Sequence, residues 1–171
     1  MIDCLREPPP TAGLALSWRD FLPGSSSLEQ KIASFIGVPE VQIECSGTAA
    51  LVVALLTLKN MSRRRSVVIS AYTCPWVALA AVHCGLNPVL CDLRKNHFEF
   101  CLKSLATVCN DDTLAVIPTH LAGRVADLDG VKSIARHVGA CMVEDAAQAF
   151  GALHNAPVSY THLTLPTILR V

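Results

Sequence analysis

Residues 66–91 read SVVISAYTCPWVALAAVHCGLNPVLC, and this stretch decides the fold. Val67-Val68-Ile69 is a β-branched run, the composition of a short buried strand. Tyr72-Thr73-Cys74 interrupts it. Pro75 stands where the first turn of a helix accepts proline, and no breaker follows until His83. Gly85, Asn87 and Pro88 end the helix, and Pro88-Val89-Leu90-Cys91 resumes as strand. No Asp, Glu, Lys or Arg occurs from Ser66 to Cys91, which raises a membrane span as an alternative. A spanning helix needs about 20 consecutive, mostly apolar residues, and Pro75, His83, Gly85, Asn87 and Pro88 break the run. Strand, helix, strand is the reading that fits.

The same rhythm extends in both directions. Upstream, residues 1–26 form a Pro/Gly/Ser-rich lead-in. Ser27 to Phe35 reads as a short amphipathic helix whose Ser27-x-x-Gln30 spacing resembles a capping box, stopped by Gly37 and Pro39. Val41–Cys45 alternates like a strand. Gly47–Leu58 is apolar nearly all round and reads as a buried helix. Downstream, Leu102–Val108 is expected to be helical, Thr113–Ile117 a strand, Asp127–His137 a helix stopped by Gly139, and Cys141–Val143 a strand. Strands that alternate with helices predict an α/β fold: a mainly parallel sheet with helices on both faces. No internal repeat is visible.

Composition narrows the function classes. The chain has 171 residues, 51% of them hydrophobic and 16% charged, with a formal net charge of zero. That supports one substantial core and argues against disorder. The only basic cluster, Arg63-Arg64-Arg65, reads as a solvated loop, so no nucleic-acid partner is expected. The eight cysteines, at 4, 45, 74, 84, 91, 101, 109 and 141, make no CxxC pair and no His-spaced zinc pattern, so no metal site is expected. Most lie in apolar runs, which reads as buried free thiols in a reducing, cytoplasmic setting. The first ten residues lack the apolar core of a signal peptide, and no membrane association is expected.

Residues 157–171 break the rhythm. A common transposon-end sequencing adapter, read as GTC TCT TAT ACA CAT CTG ACG CTG CCG ACG, translates to Val158–Thr167 without a mismatch. Residues 157–171 are therefore expected to be an adapter read-through tail and residues 1–156 the natural domain.

Four short segments carry chemistry. Ser46-Gly47-Thr48 lies where a strand gives way to a helix. Unpaired N–H groups and the dipole of a first helical turn make a phosphate seat there, although a serine in that place also serves as an ordinary N-cap. Val143-Glu144-Asp145-Ala146-Ala147-Gln148 puts two acids at a strand's carboxyl end, where ligands bind in open α/β sheets. An Asp there suits a cationic ring nitrogen, a helix cap or a metal. Tyr72-Thr73-Cys74-Pro75-Trp76 offers aromatic rings that suit either a flat cofactor or the core. Pro118-Thr119-His120-Leu121-Ala122-Gly123 follows another strand; His120 alone reads as a structural histidine.

In this order, Ser46–Leu51, Ala71-Tyr72-Thr73, Pro118–Gly123 and Glu144–Ala149 resemble the DegT/DnrJ/StrS family of sugar aminotransferases, fold-type I enzymes that use pyridoxal 5'-phosphate (PLP). The resemblance runs from about Leu28 to Ala152. It implies that residues 1–156 are an incomplete PLP-binding large domain. It implies that Gly47 and Thr48 bind the PLP phosphate, Asp145 pairs with the pyridine nitrogen and Gln148 approaches the ring hydroxyl. The position that stacks on the ring in the family is usually aromatic; here it is Cys74, with Trp76 or Tyr72 as substitutes. The substrates implied are a nucleotide-linked keto-sugar and an amino donor such as glutamate, and the full-length parent is expected to be a cytoplasmic homodimer. The family's PLP-bearing lysine lies downstream of the Glu-Asp-Ala-Ala-Gln motif, yet no lysine follows Lys132. The chain therefore carries no catalytic residue and is expected to be inactive alone. A sugar dehydratase of the same family, with histidine in place of that lysine, and a non-catalytic binding domain are the alternatives.

Overall fold

A computed structural model of the chain describes Trp18, residues 27–150 and the backbone of Ile168–Leu169. The elements are α1 (Leu28–Ile36), α2 (Gly47–Met61), β1 (Ser66–Ser70), α3 (Pro75–His83), β2 (Asn87–Cys91), α4 (Leu102–Val108), β3 (Thr113–Ile117), α5 (Leu128–His137), β4 (Cys141–Glu144) and β5 (Ile168–Leu169). They build one five-stranded sheet in the order β2-β1-β3-β4-β5. β1 pairs in parallel with β2 and β3, and β3 in parallel with β4. The two residues of β5 pair antiparallel, Leu169 with Val143 and Ile168 with Glu144. The remainder of residues 157–171 lies outside the described residues.

The sheet is covered on both faces, and strand alternation divides the core accordingly. Val67, Ile69, Ala115 and Ile117 join Leu51, Leu55 and Leu58 of α2 and Val77, Ala80 and Ala81 of α3 in one apolar cluster. Val68, Cys91 and Val116 point the other way, to Leu105 of α4 and Val131 and Ala135 of α5. The connections wind β1 to β2 on one side and β2 to β3 on the other. The strand order therefore reverses between β1 and β3, which makes a topological switch point at their carboxyl ends.

Local chemistry sets the helix limits. Ser27 and Gln30 form the reciprocal capping box, and Gly37 closes α1 in the left-handed conformation at φ 70°. Asp127 caps α5 through Gly130 N–H. Among the described residues no helix is long and apolar enough to cross a membrane.

Four expectations need correction. Val41–Cys45 is not a strand: Ile43 and Cys45 are exposed, so the alternation buries no face, and no strand among the described residues pairs with its backbone. α2 is not buried all round. It buries Leu51, Ala54, Leu55 and Leu58, while Val53 and Leu56 stand about 40% exposed. The Arg63–Arg65 segment is not uniformly solvated. Arg64 is half-buried, and its guanidinium donates to Thr113 O at 3.0 Å and to Val138 O, the end of α5, at 2.7 Å. Finally, the seven cysteines among the described residues are free but unevenly covered: Cys84, Cys91 and Cys109 are buried, Cys101 and Cys141 half-buried, and Cys45 and Cys74 exposed; Cys4 lies outside the described residues.

Candidate functional site

The carboxyl ends of β1, β3 and β4 lie side by side, and the three motifs that follow them are joined there. Beyond β1, the Thr73 hydroxyl meets the Thr119 hydroxyl at 3.0 Å. Thr119 in turn sits in a parallel bridge with Asp145: Asp145 N–H donates to Pro118 O and His120 N–H to Asp145 O, each at 2.9 Å. The backbone thus carries the ladder one step past β3 and β4 and fixes Asp145 at the sheet edge.

Asp145 is 7% exposed, and its Oδ1 accepts from Ala147 N–H at 3.2 Å. Burial raises its pKa above the ordinary carboxyl value, while the Ala147 N–H and His120 act in the opposite direction. A buried carboxyl held this way gains from a cationic N–H partner, which would restore the charge that burial penalises.

His120 is fully buried, in keeping with its structural reading. Its Nδ1 accepts from Ala126 N–H at 3.0 Å, so the ring proton belongs on Nε2. That atom faces Glu144 Oε2 at 3.6 Å, too far for a hydrogen bond, and has no other partner.

Gln148 is exposed. Its Oε1 accepts from Ala122 N–H and its main-chain O from Gly123 N–H, both at 3.0 Å. The acceptor end of the amide is engaged, and the NH2 end is left as a donor.

Gly47 and Thr48 form the first turn of α2. Ser46 caps it, its hydroxyl oxygen accepting from Ala49 N–H at 3.1 Å and its carbonyl from Ala50 N–H at 3.0 Å. The N–H groups of Gly47 and Thr48 are the two donors that this cap does not take. Only four residues separate Met61 from Ser66, so the end of α2 lies at the amino edge of β1. The helix runs back along the sheet through Leu58, Leu55 and Leu51, which brings Gly47 and Thr48 to the carboxyl edge. Asp145 and Gln148 follow the carboxyl end of β4 at that same edge of the sheet. Two N–H donors for a phosphate, a buried carboxyl for a ring nitrogen and an amide NH2 for a ring oxygen fit the donor and acceptor pattern of PLP.

The aromatic cover is less complete. Cys74 is the exposed N-cap of α3 and makes no side-chain cap bond. Tyr72 stacks on Phe98 with ring centroids 5.6 Å apart, and Trp76 is 61% exposed on α3. A shallow cleft lined by His97, Phe98, Thr119, Leu121 and Arg124 opens beside this group and includes none of Gly47, Thr48, Asp145 or Gln148. Among the described residues no cluster of His, Cys, Asp and Glu could hold a metal ion. Sequence reasoning missed the Thr73–Thr119 contact and the role of Phe98. A threonine two or three residues beyond each of two strands was the available signal.

Residues 15–158 match the model of the DegT/DnrJ/EryC1/StrS aminotransferase family. Protein MosB of Rhizobium meliloti is 34% identical over 129 residues, which cover 75% of this chain and 25% of MosB. The UDP-N-acetyl-3-dehydro-alpha-D-glucosamine 3-aminotransferase of Acidithiobacillus ferrooxidans is 32% identical over 129 residues, 75% of this chain and 35% of that protein. A Streptococcus pneumoniae protein solved in its PLP form superposes with a TM-score of 0.66 at 25% identity, covering 72% of this chain and 35% of its own; it has also been solved in a PMP form. The chain spans about a quarter to a third of the length of the curated relatives it matches.

Proposed function

As this chain belongs to the DegT/DnrJ/EryC1/StrS aminotransferase family, we propose that it is the PLP-binding part of a longer aminotransferase acting on a nucleotide-linked keto-sugar, in polysaccharide or amino-sugar biosynthesis. The observation that carries this reading is the buried Asp145 at the switch-point edge, bridged to Thr119 and raised in pKa. PLP, when bound, supplies the electron-withdrawing ring through which an amino group passes from donor to acceptor. This chain's residues bind and orient it. Gly47 and Thr48 donate their N–H groups to the phosphate. Asp145 holds a proton at the ring nitrogen. Gln148 Nε2 donates to the ring hydroxyl oxygen. Cys74 lies where the family places its stacking residue, and its sulfur, or Tyr72 or Trp76 in its stead, would cover the ring. The glutamate-type amino donor, the homodimeric parent and the cytoplasmic setting belong to the same proposal.

The chain spans about a quarter to a third of the relatives it matches, and the ε-amine that the chemistry requires is assigned in this proposal to the rest of the longer protein. We assign residues 157–171 to adapter read-through and residues 1–156 to the parent's large domain. The test is to recover the uninterrupted reading frame, express its product and assay it with PLP, glutamate and a UDP-linked keto-sugar. An amino-sugar product together with a lysine shortly beyond residue 152 supports the proposal. A histidine at that place with loss of a sugar hydroxyl would make the parent a dehydratase. Neither residue and no PLP absorbance would leave a non-catalytic binding domain. Borohydride treatment of the present chain with PLP should fix cofactor at no single lysine. Stoichiometric reduction onto one of Lys31, Lys59, Lys95, Lys103 or Lys132 would overturn the assignment.

A further inference from the structure

Two consecutive residues of the loop after β3 are left-handed: Ala122 at φ 53° and Gly123 at φ 74°. Alanine takes this conformation only against a steric cost. At Gly123 a Cβ would meet nothing within 4 Å, so glycine serves the conformation there and not the space. The turn has one evident product. Its two N–H groups both reach Gln148, Ala122 to the side-chain Oε1 and Gly123 to the main-chain O. A second anchor holds the same two segments together, where Val125 packs on the buried Ala146 and Ala149.

We propose that the left-handed turn at Ala122–Gly123 is a positioning element for Gln148. By engaging the amide oxygen it leaves the NH2 group as the end that faces a ligand, and so selects an acceptor, the ionised ring hydroxyl, over a donor. A free glutamine presents either end at equal cost. Here rotation of the amide would set NH2 against the Ala122 N–H, donor against donor. The strained turn thus fixes the direction of one hydrogen bond at the site. Ala122 acts through Gln148 and does not itself touch the ligand.

This inference rests on the PLP reading, and its test separates the two. The full chain is compared with Gln148→Glu, which keeps an acceptor for Ala122 but has no NH2, and with Gln148→Ala, which keeps neither. Without ligand, hydrogen exchange at the Ala122 amide should be roughly ten-fold faster in Gln148→Ala and unchanged in Gln148→Glu, with the core amide of Val116 as the control for global opening. The ligand probe is 4'-deoxypyridoxine 5'-phosphate, which has no aldehyde for a lysine to capture. The unaltered chain should bind it and lower the pH midpoint of its 3-hydroxyl ionisation, followed by ultraviolet absorbance. Gln148→Glu should bind roughly ten-fold more weakly and raise that midpoint. Equal Ala122 exchange in the chain and Gln148→Ala would overturn the clamp whether or not a ligand binds. A midpoint unchanged by Gln148→Glu, with the probe bound, would overturn the selection of an acceptor. Expected exchange with no probe binding to the unaltered chain would overturn the PLP reading, and the ligand assigned to Gln148 with it.

Discussion

The hydroxyls of Thr73 and Thr119 meet at 3.0 Å across the gap between the carboxyl ends of β1 and β3. The two residues are 46 positions apart in the chain, and they touch because each closely follows one of two strands that pair side by side. Each replacement by valine removes one hydroxyl and strands the other. A double-mutant cycle of Thr73→Val and Thr119→Val should give a coupling of about 1 kcal/mol in urea unfolding. Simple additivity would show that the contact contributes nothing.

Asp145 should lower the stability of the fold at neutral pH. Burial raises its folded pKa, so the folded chain ionises it less readily than the unfolded chain does. The destabilisation is absent below the ordinary value of 3.8. It grows as pH rises towards the raised folded value and stays at full size above it. Asp145→Asn keeps an acceptor for Ala147 N–H and removes the charge. Its urea midpoint should exceed that of the unaltered chain at pH 7 and match it near pH 3.5, while binding of a pyridoxal phosphate analogue is lost. No gain at pH 7 would contradict the burial argument.

Arg64 and Arg63 should behave as opposites despite their adjacency. Arg64 ties the start of β3 to the end of α5 through two carbonyls, whereas Arg63 is exposed. Arg64→Met should cost roughly 1.5–3 kcal/mol in denaturant unfolding, and Arg63→Met less than about 0.5 kcal/mol. Arg64→Lys should recover only part of the loss: both carbonyls accept from the one nitrogen Nη1, and the shorter lysine side chain does not place its ammonium at that point.

Thiol reactivity should follow position in the sheet. Burial pushes the Cys91 thiol up to about 12, with Cys109, Asp92 and Cys101 adding to the rise, and burial raises Cys109 as well. The backbone N–H of Ser104 pulls the Cys101 thiol below its ordinary value. Under native conditions at pH 8, iodoacetamide should label Cys101 and the exposed Cys74 before Cys91 and Cys109. Early labelling of Cys91, read by peptide mass mapping, would mean that the α4 side of the sheet opens readily.

Deleting residues 157–171 should alter stability little. β5 adds only two paired residues to β4, and the few ladder bonds, about 1 kcal/mol each, are offset by the chain entropy lost in bringing together two segments distant in sequence. Replacing the tail by the parent's own continuation should instead raise soluble yield and PLP binding together. A drop in Tm of more than about 5 °C on deletion alone would make the tail native structure.

Much of the fold was legible. α3, α4 and β3 run over the residues expected, because Pro75 opens one helix, Gly85 follows it, and five apolar or β-branched residues suffice for a buried strand. Val41–Cys45 misled because alternation signals a strand only when a neighbour exists to pair with it. Arg64 was hidden because its acceptors come from two distant segments. The motif residues Gly47, Thr48, Asp145 and Gln148 were legible as types, and parallel strands led to the expectation of a common edge for them. The left-handed Ala122 was not: no local rule puts alanine at positive φ, and only the later Gln148 explains it.

The strand order also sets a sequence of events during synthesis. β1, one of the two inner strands of the parallel set, can pair with β2 soon after both have left the ribosome, but its other edge stays open until β3 arrives. That open edge is Val67-Val68-Ile69, the most β-prone run in the chain. The N–H donors of Gly47 and Thr48 are made early, and Asp145 and Gln148 follow about 100 residues later. A ligand that needs both groups therefore cannot shelter the nascent chain while its most adhesive edge is bare.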